Sequence, residues 1–398
     1  MLKKIKIIHI LHHSPSWTSK FVIDDVFDGW HVRTVKALQK EINFDCELEI
    51  WTLEKQLSRQ IEFKIDDIVY RIFPSEFLNY GREISRSLIS QLQKERENYL
   101  ILHLHGIFNY HTYLISQLFG QLPIVAQHHG DAPPLYLLER RTLLLTVLPV
   151  LLTENFIMLR SLNNIDYFFC LTQSCINALK NLGIKSQMKT QTMGVDFNKF
   201  FYFPKSEAKQ KLKIPVHERI LLYVGRLTKY KGADKLINAF CQLKSESNIK
   251  CIVIGADKND PYYLDAQKVG IKILSRIEHE ALVSYYQAAD IFILPGSSSF
   301  NKWGGIGVAT IEALATNTPV ISGTLKHFPE DYHKLGICTY KPHLIATGVK
   351  QILSNPQAYN ECRTLAQKYY DWKHIAQSTI LVYNELLKKY YKLNINKQ

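Results

Sequence analysis

Ile220-Leu221-Leu222-Tyr223-Val224-Gly225-Arg226-Leu227-Thr228-Lys229-Tyr230-Lys231-Gly232 is the stretch on which the fold turns. Its first five residues form an unbroken apolar run, the pattern of a strand buried on both faces, and Gly225 lets the chain turn sharply after it. A helical period starts near Ala233. Strand, loop and helix in that order make the unit of a parallel sheet covered by helices, whose ligands bind at the carboxyl ends of the strands. Arg226 and Lys231 place two cations in the loop, and the helix start adds unpaired N–H groups, so a diphosphate is a natural guest. A plain strand-to-helix turn with solvated basic residues fits the same spacing.

The same grammar repeats outward. In the second half, apolar runs at 250–254, 271–274, 291–294 and 319–322 alternate with helical segments at 233–243, 281–288 and 307–315. In the first half, runs at 5–11, 46–51, 68–72, 100–104, 124–127 and 167–171 accompany helical stretches at 30–40 and 84–97. Residues 200–216, Phe-rich and then charged, read as the linker. At roughly 150 residues per domain, 398 residues suit two such α/β domains.

Hydrophobic residues at 46% and charged residues at 21% exclude a disordered chain. The net charge of +13 favours anionic partners: nucleic acid, an anionic membrane surface or phosphorylated small molecules. Nucleic acid is set aside, since the basic residues are dispersed and no nucleic-acid motif appears. Seven scattered cysteines without a C-x-x-C pair argue against a disulfide framework and a zinc knuckle, and fit a cytoplasmic protein. The basic N-terminus precedes a short apolar run interrupted by His9 and followed by His12 and His13, which reads as a strand and not as a signal peptide. The longest apolar segment, 143–152, falls short of the ~20 residues that span a bilayer.

Two blocks resemble the retaining glycosyltransferases of family 4 (glycosyl transferase group 1), which have the GT-B architecture of two Rossmann-like domains facing a central cleft. The first is Leu222-Tyr223-Val224-Gly225-Arg226-Leu227 with Lys231-Gly232, similar to the family's donor diphosphate site. The second begins Ala289-Asp290-Ile291-Phe292-Ile293-Leu294-Pro295 and continues from Gly305-Ile306-Gly307 through Glu312-Ala313-Leu314-Ala315 to Pro319-Val320-Ile321. The resemblance implies that Arg226 and Lys231 bind the diphosphate, that Glu312 accepts from the ribose hydroxyls, and that the backbone at Ile277 reads the base. Backbone N–H groups of Gly305, Ile306 and Gly307 would hold the sugar or β-phosphate. Tyr167 to Ser174, Gly194-Val195-Asp196 with Phe200, Phe328-Pro329-Glu330, and Trp372-Lys373-His374-Ile375-Ala376 with Tyr383 and Leu386 extend the likeness over nearly the whole chain. It implies an acceptor-binding domain at 1–203, a donor-binding domain at 204–374, and a C-terminal helix from about 375 to 398 crossing back to the first domain.

The sequence departs from the family pattern in two places. Gly304 stands where a second acid, eight residues before Glu312, usually contacts the transferred sugar. Either the sugar is held differently, or Ser297, Ser298, Ser299, Asn301 or Lys302 takes over, or transfer has been lost. The paired-glycine loop after the first strand is also missing: His12-His13-Ser14-Pro15-Ser16-Trp17 stands there, with Gly29-Trp30 as a later equivalent.

Leu102-His103-Leu104-His105-Gly106 and Gln127-His128-His129-Gly130-Asp131 both end apolar runs. The resemblance makes His129 the residue that contacts the donor sugar or the departing phosphate, with His105 and His128 as acceptor-side candidates. Strand-end imidazoles that bond local backbone are the competing description, favoured for His103. A metal site is discounted, since no carboxylate at ligand spacing accompanies both pairs, and no cofactor is expected.

The resemblance implies transfer of a hexose-type sugar from a nucleotide diphosphate sugar to a glycan or lipid-linked acceptor, with retention, in cell-envelope polysaccharide or glycoconjugate synthesis. The alternatives are a non-catalytic nucleotide-sugar binder and a GT-B epimerase or phosphorylase. Basic residues flanking the apolar stripe between Pro133 and Leu162, among them Arg140, Arg141 and Arg160, suit either a membrane interface or a buried core helix.

Overall fold

The computed structural model describes residues 3–11, 30–78, 82–131, 133, 148–246 and 248–393. His12 to Trp17, Gly29, Arg140, Arg141 and the first half of the 143–152 run therefore lie outside the described residues. The chain forms two compact units, Met1–Thr192 with Ile375–Gln398, and Met193–His374.

The first unit is built on β1 (Ile5–Leu11), β2 (Glu47–Glu54), β3 (Ile61–Ile65), β4 (Ile68–Pro74), a separate antiparallel pair β5 (Glu76–Leu78) and β6 (Arg82–Ile84), then β7 (Tyr99–His105), β8 (Ile124–Gln127), β9 (Tyr167–Cys170) and β10 (Gln187–Thr190). The main sheet runs β10-β9-β8-β7-β1-β2-β4-β3 and is parallel except where β3 pairs antiparallel with β4. Strands β1 and β7 lie at its centre, which is why they read as near-continuous apolar runs. β3 and β10 sit at the edges and are short, β3 alternating apolar with charged residues and β10 mostly polar, so no apolar run announced them. The turn between β3 and β4 needs positive φ at both Asp66 (49°) and Asp67 (62°), the requirement of a tight two-residue hairpin.

The second unit carries β11 (Arg219–Val224), β12 (Ile249–Ile254), β13 (Lys272–Leu274), β14 (Ile291–Leu294), β15 (Val320–Ser322) and β16 (Gly336–Ile337) in the order β13-β12-β11-β14-β15-β16, with every pairing parallel. The predicted linker belongs largely to this unit. Val195, Phe197 and Phe200 are buried in its core, and the helix Lys205–Lys211 places Lys209 2.8 Å from Asp290, both buried. Burial of those aromatics moves the division between the units from 203/204, the boundary read from the sequence, to 192/193.

The helix Trp372–Tyr391 begins in the second unit and is counted with the first from Ile375 onward. There Thr379 accepts from Gln191 at 3.0 Å, and the Tyr391 hydroxyl donates to the Leu100 carbonyl at 3.0 Å.

Candidate functional site

Each sheet reverses its strand order once, between β1 and β7 in the first unit and between β11 and β14 in the second. Such a switch point opens a crevice at the carboxyl ends of the strands, where ligands of open α/β sheets bind.

In the second unit the loops after β11 and β14 are tied together. Gly296 N–H donates to the Lys231 carbonyl at 3.1 Å, Ser297 N–H to the Tyr230 carbonyl at 2.8 Å, and Lys235 Nζ to the Gly296 carbonyl at 2.7 Å. Glycine is required at 232, where φ is 81° and a Cβ would sit 2.7 Å from Gly296 N. At Gly225, a Cβ would lie 2.6 Å from Lys231 Nζ, so the bare backbone makes room for the ammonium. Burial lowers the Lys231 pKa, and the nearby Arg226 charge adds to the effect. Among the described residues, no carboxylate lies within ion-pair distance of Lys231. A half-buried cation left this way is a ready anion site.

Arg226 is held by Asp260, whose carboxylate pairs with Nε and also accepts from Leu227 N–H at 2.8 Å and Asp257 N–H at 3.0 Å. Burial would raise the Asp260 pKa, but the two backbone donors and the guanidinium outweigh it and the net shift is downward. The guanidinium keeps 57% of its side-chain exposure and so remains available to a ligand. No sequence signal marked Asp260: it follows a different strand, 34 residues from Arg226.

Glu312 lies on the helix Val308–Ala315 and is 4% exposed. Tyr286 donates to one of its oxygens at 2.9 Å, and His279 Nε2 bonds the other at 2.9 Å. Sequence reasoning missed both partners. A carboxylate offers about four acceptor positions, so Glu312 keeps capacity for a diol while these two bonds fix its direction. Ile277 is half-buried two residues before His279. Gly305, with φ of 60°, leads through Ile306 to Gly307 at the helix start.

Gly304 ends the short helix Ser298–Trp303. A Cβ there would meet the Phe300 carbonyl oxygen at 2.8 Å, so this backbone has no room for an acid. Of the proposed substitutes, Ser297 caps that helix, Asn301 donates to the Pro295 carbonyl at 3.2 Å, and Lys302 lies over the Trp303 ring. Ser298 is exposed and Ser299 half-buried.

In the first unit, β1 and β7 pair with His9 opposite His103, and the two-residue period of a strand puts His105 on the same face. The rings stack, His9 on His103 at 4.5 Å and His103 on His105 at 4.7 Å between centroids. His9 Nδ1 bonds His105 Nε2 at 2.9 Å, and His105 Nδ1 bonds His129 Nε2 at 3.1 Å. On the other side Tyr383 OH bonds His9 Nε2 at 3.2 Å and His103 Nδ1 at 2.5 Å. Ligand atoms of His9, His103 and His105 lie within 4.8 Å of one another, but the rings stack instead of converging and bond one another and Tyr383. Burial drives the His9 and His105 pKa values well below the usual range and those of His31 and His103 down to about 3, so these rings are neutral.

His105 and His128 are 1% and 0% exposed, whereas His129 is half-buried. Of the three candidates, His129 is therefore the best placed to meet a ligand. His128 is tied to local backbone, with Nε2 bonding the Asp131 carbonyl at 2.6 Å and its N–H donating to the Phe169 carbonyl at 2.8 Å. Asp131 accepts from Ile107 N–H at 2.8 Å and from Phe108 N–H, joining the loops after β7 and β8.

Residues 204–369 match the model of the family "Glycosyl transferases group 1". A glycosyltransferase of Methanocaldococcus jannaschii is 26% identical over 42% of this chain and 45% of its own length. The D-inositol 3-phosphate glycosyltransferase of Corynebacterium aurimucosum is 32% identical over 31% of each. The chain thus spans a third to a half of the length of the curated relatives it matches. Among solved structures, sucrose-phosphate synthase from Thermosynechococcus elongatus aligns with a TM-score of 0.68 at 17% identity, over 97% of this chain and 100% of that one. HepE of Anabaena, in complex with UDP, aligns with a TM-score of 0.68 at 15% identity, over 96% and 100%. These likenesses show the fold, which is GT-B.

Proposed function

From the glycosyl transferases group 1 domain that residues 204–369 carry, we propose that this protein moves a hexose-type sugar from a nucleotide diphosphate sugar to a glycan or lipid-linked acceptor, with retention at the anomeric carbon. The observation that carries the reading is Lys231, a half-buried ammonium without a carboxylate partner among the described residues, beside Arg226 at a strand switch point. A diphosphate supplies the charge that Lys231 lacks. Support also comes from HepE, whose structures are complexes with UDP and UDP-glucose.

The diphosphate lies against Lys231 and Arg226, the ribose diol on Glu312, and the base beside the Ile277 backbone. As the bond from the anomeric carbon to the phosphate oxygen breaks, negative charge grows on that oxygen. Lys231, Arg226 and the N–H groups around Gly305, Ile306 and Gly307 stabilise it, an electrostatic contribution of the kind that commonly dominates such steps. His129 donates to the sugar or the departing oxygen. The two protein cations meet the diphosphate charge, so no metal or cofactor is included in the proposal. A role in cell-envelope polysaccharide or glycoconjugate synthesis is proposed with it.

Among the described residues, no helix is long and apolar enough to cross a membrane. The helix Leu148–Leu162 exposes Leu152 at 53% and Phe156 at 66%, with Arg160 one turn further along, and this supports an anionic membrane surface as the place of the acceptor. Pelleting with anionic vesicles, lost in Leu152→Ser/Phe156→Ser, tests it, and equal recovery of both proteins in the supernatant removes it.

Gly304 favours a second reading, a nucleotide-sugar binder without turnover. Assay of UDP-sugars and other nucleotide sugars with saccharide acceptors, paired with thermal shift, separates the two. Transfer lost in Lys231→Ala supports the enzyme, whereas a stabilising nucleotide sugar that is never consumed supports the binder.

A further inference from the structure

The two side chains that bond Glu312 come from one other helix, His279–Ala288. His279 Nε2 and the Tyr286 hydroxyl, both at 2.9 Å, lie seven residues apart and hence on one helix face. A carboxylate only accepts, so both partners donate, and the direction of those two donors sets which lone pairs remain for a ligand. One ring backs both donors. Phe200, 1% exposed, stands edge-on to His279 at 5.1 Å and to Tyr286 at 5.8 Å between centroids, with interplanar angles of 65° and 70°. Edge-to-face pairs have a preferred geometry, so a ring that meets two others in this way restricts the rotation of both.

The backbone of Phe200 is pinned on both sides. Its N–H donates to the Asp196 carbonyl at 2.9 Å, and its carbonyl accepts from Arg363 at 2.6 Å. Arg363, half-buried on the helix Cys362–Tyr370, donates as well to the Phe197 carbonyl at 2.8 Å and to the Ala315 carbonyl. Ala315 is the last residue of the helix Val308–Ala315, which carries Glu312. One guanidinium thus joins the segment that holds Phe200 to the helix that holds Glu312. Its planar fork of donors suits three carbonyls in a way that a lysine ammonium does not.

We propose that Phe200 and Arg363 are positioning residues that aim the Glu312 carboxylate at the ribose diol of the nucleotide. The inference deepens the proposed function and rests on its placing of the ribose on Glu312. Neither residue touches the ligand. Their effect is selective: loss of the ring frees His279 and Tyr286 to turn, Glu312 turns with them, and the hydroxyl contacts weaken. The diphosphate contacts of Lys231 and Arg226 belong to the loop after β11 and remain. A ring that only filled the core would, when removed, lower stability without altering the choice between ribose and deoxyribose.

The test is calorimetry of the full chain with UDP, GDP and ADP, each against its 2′-deoxy form, in wild type, Phe200→Leu and Phe240→Leu. Phe240 is buried in the same core and, among the described residues, makes no ring contact with His279 or Tyr286. For the diphosphate bound best, the wild type should prefer the ribose form by about tenfold, in the range of one hydrogen bond to a charged acceptor. In Phe200→Leu that preference should fall to about threefold or less, with affinity for the deoxy form held within about twofold. Phe240→Leu should lower the melting temperature and keep the preference. A preference unchanged in Phe200→Leu overturns the inference and leaves the donor reading standing, as does a preference lost equally in Phe240→Leu. A wild type that binds none of the nucleotides overturns the donor reading and the inference with it. Binding without any preference for ribose takes Glu312 away from the diol and overturns the inference, while the anion site stands. Should Phe200→Leu not fold, Arg363→Lys keeps the charge without the fork and carries the same expectations.

Discussion

The two switch points differ in charge. At the one in the second unit, a half-buried ammonium and a half-exposed guanidinium stand together, and the carboxylate of Asp260 pairs with the guanidinium. At the one in the first unit, three buried imidazoles and a phenol share hydrogen bonds and are neutral. Parallel strands with the same reversal of order thus present an unpaired cation in one unit and an uncharged hydrogen-bonded network in the other. The former is poised to bind an anion, and the latter to orient a neighbour. Each can be challenged by a change that should leave the other untouched.

Lys231→Ala carries the largest expected effect, a loss of transfer of at least about 100-fold, in the range seen when one transition-state charge partner is removed. Because the half-buried ammonium has no carboxylate partner, the melting temperature in the absence of ligand should stay level or rise. A large destabilisation would show that Lys231 is a structural cation.

Acid should act on the first unit instead. The His9, His103 and His105 pKa values are lowered on folding from about 6.5, that of His103 to about 3. Below about pH 6.5 the unfolded chain binds more protons than the folded one. Their contribution to stability is therefore complete above that pH and falls as pH drops towards 3, by about 1.4 kcal/mol per pH unit for each proton taken up. Urea titrations at pH 7 and pH 5 should show the loss, reduced in Tyr383→Phe/His9→Gln. Equal midpoints would mean that the imidazoles are not held neutral.

Glu312→Gln keeps the shape but weakens acceptance from a diol and from Tyr286, and nucleotide affinity measured by calorimetry should fall by about tenfold. The smallest effect belongs to Asp260→Asn, which loosens Arg226 without removing it. A rise in donor KM of a few-fold with a smaller change in kcat is expected, and unchanged kinetics would leave Arg226 without need of its carboxylate.

Legibility in the sequence follows locality. The Gly225-to-Gly232 loop is contiguous, so its strand, turn and two cations could be read in place. Asp260, His279 and Tyr286 could not, because each reaches its partner from a different strand or helix, 26 to 34 residues away. The imidazole chain is more extreme. His9 looked like an interruption in an apolar strand, and only the register of β1 against β7 sets it opposite His103, while Tyr383 arrives from 374 residues later. Among the fold elements, the parallel strands of both sheet centres were legible, whereas β3, β10 and the two-residue β16 were not. Edge strands need no apolar run, and Gly336 offers no side chain to reveal a pattern. The division between the units was misplaced for a related reason, since Phe-rich composition at 197–203 resembles an exposed linker until Phe197 and Phe200 are seen to be buried.

Calorimetric titration of UDP into the wild-type protein and into Lys231→Ala tests the anion site most directly. Saturable binding by the wild type, weakened at least about tenfold in the variant, is the expected outcome for a cation that meets the diphosphate. Binding of equal strength in both proteins would contradict the assignment of Lys231.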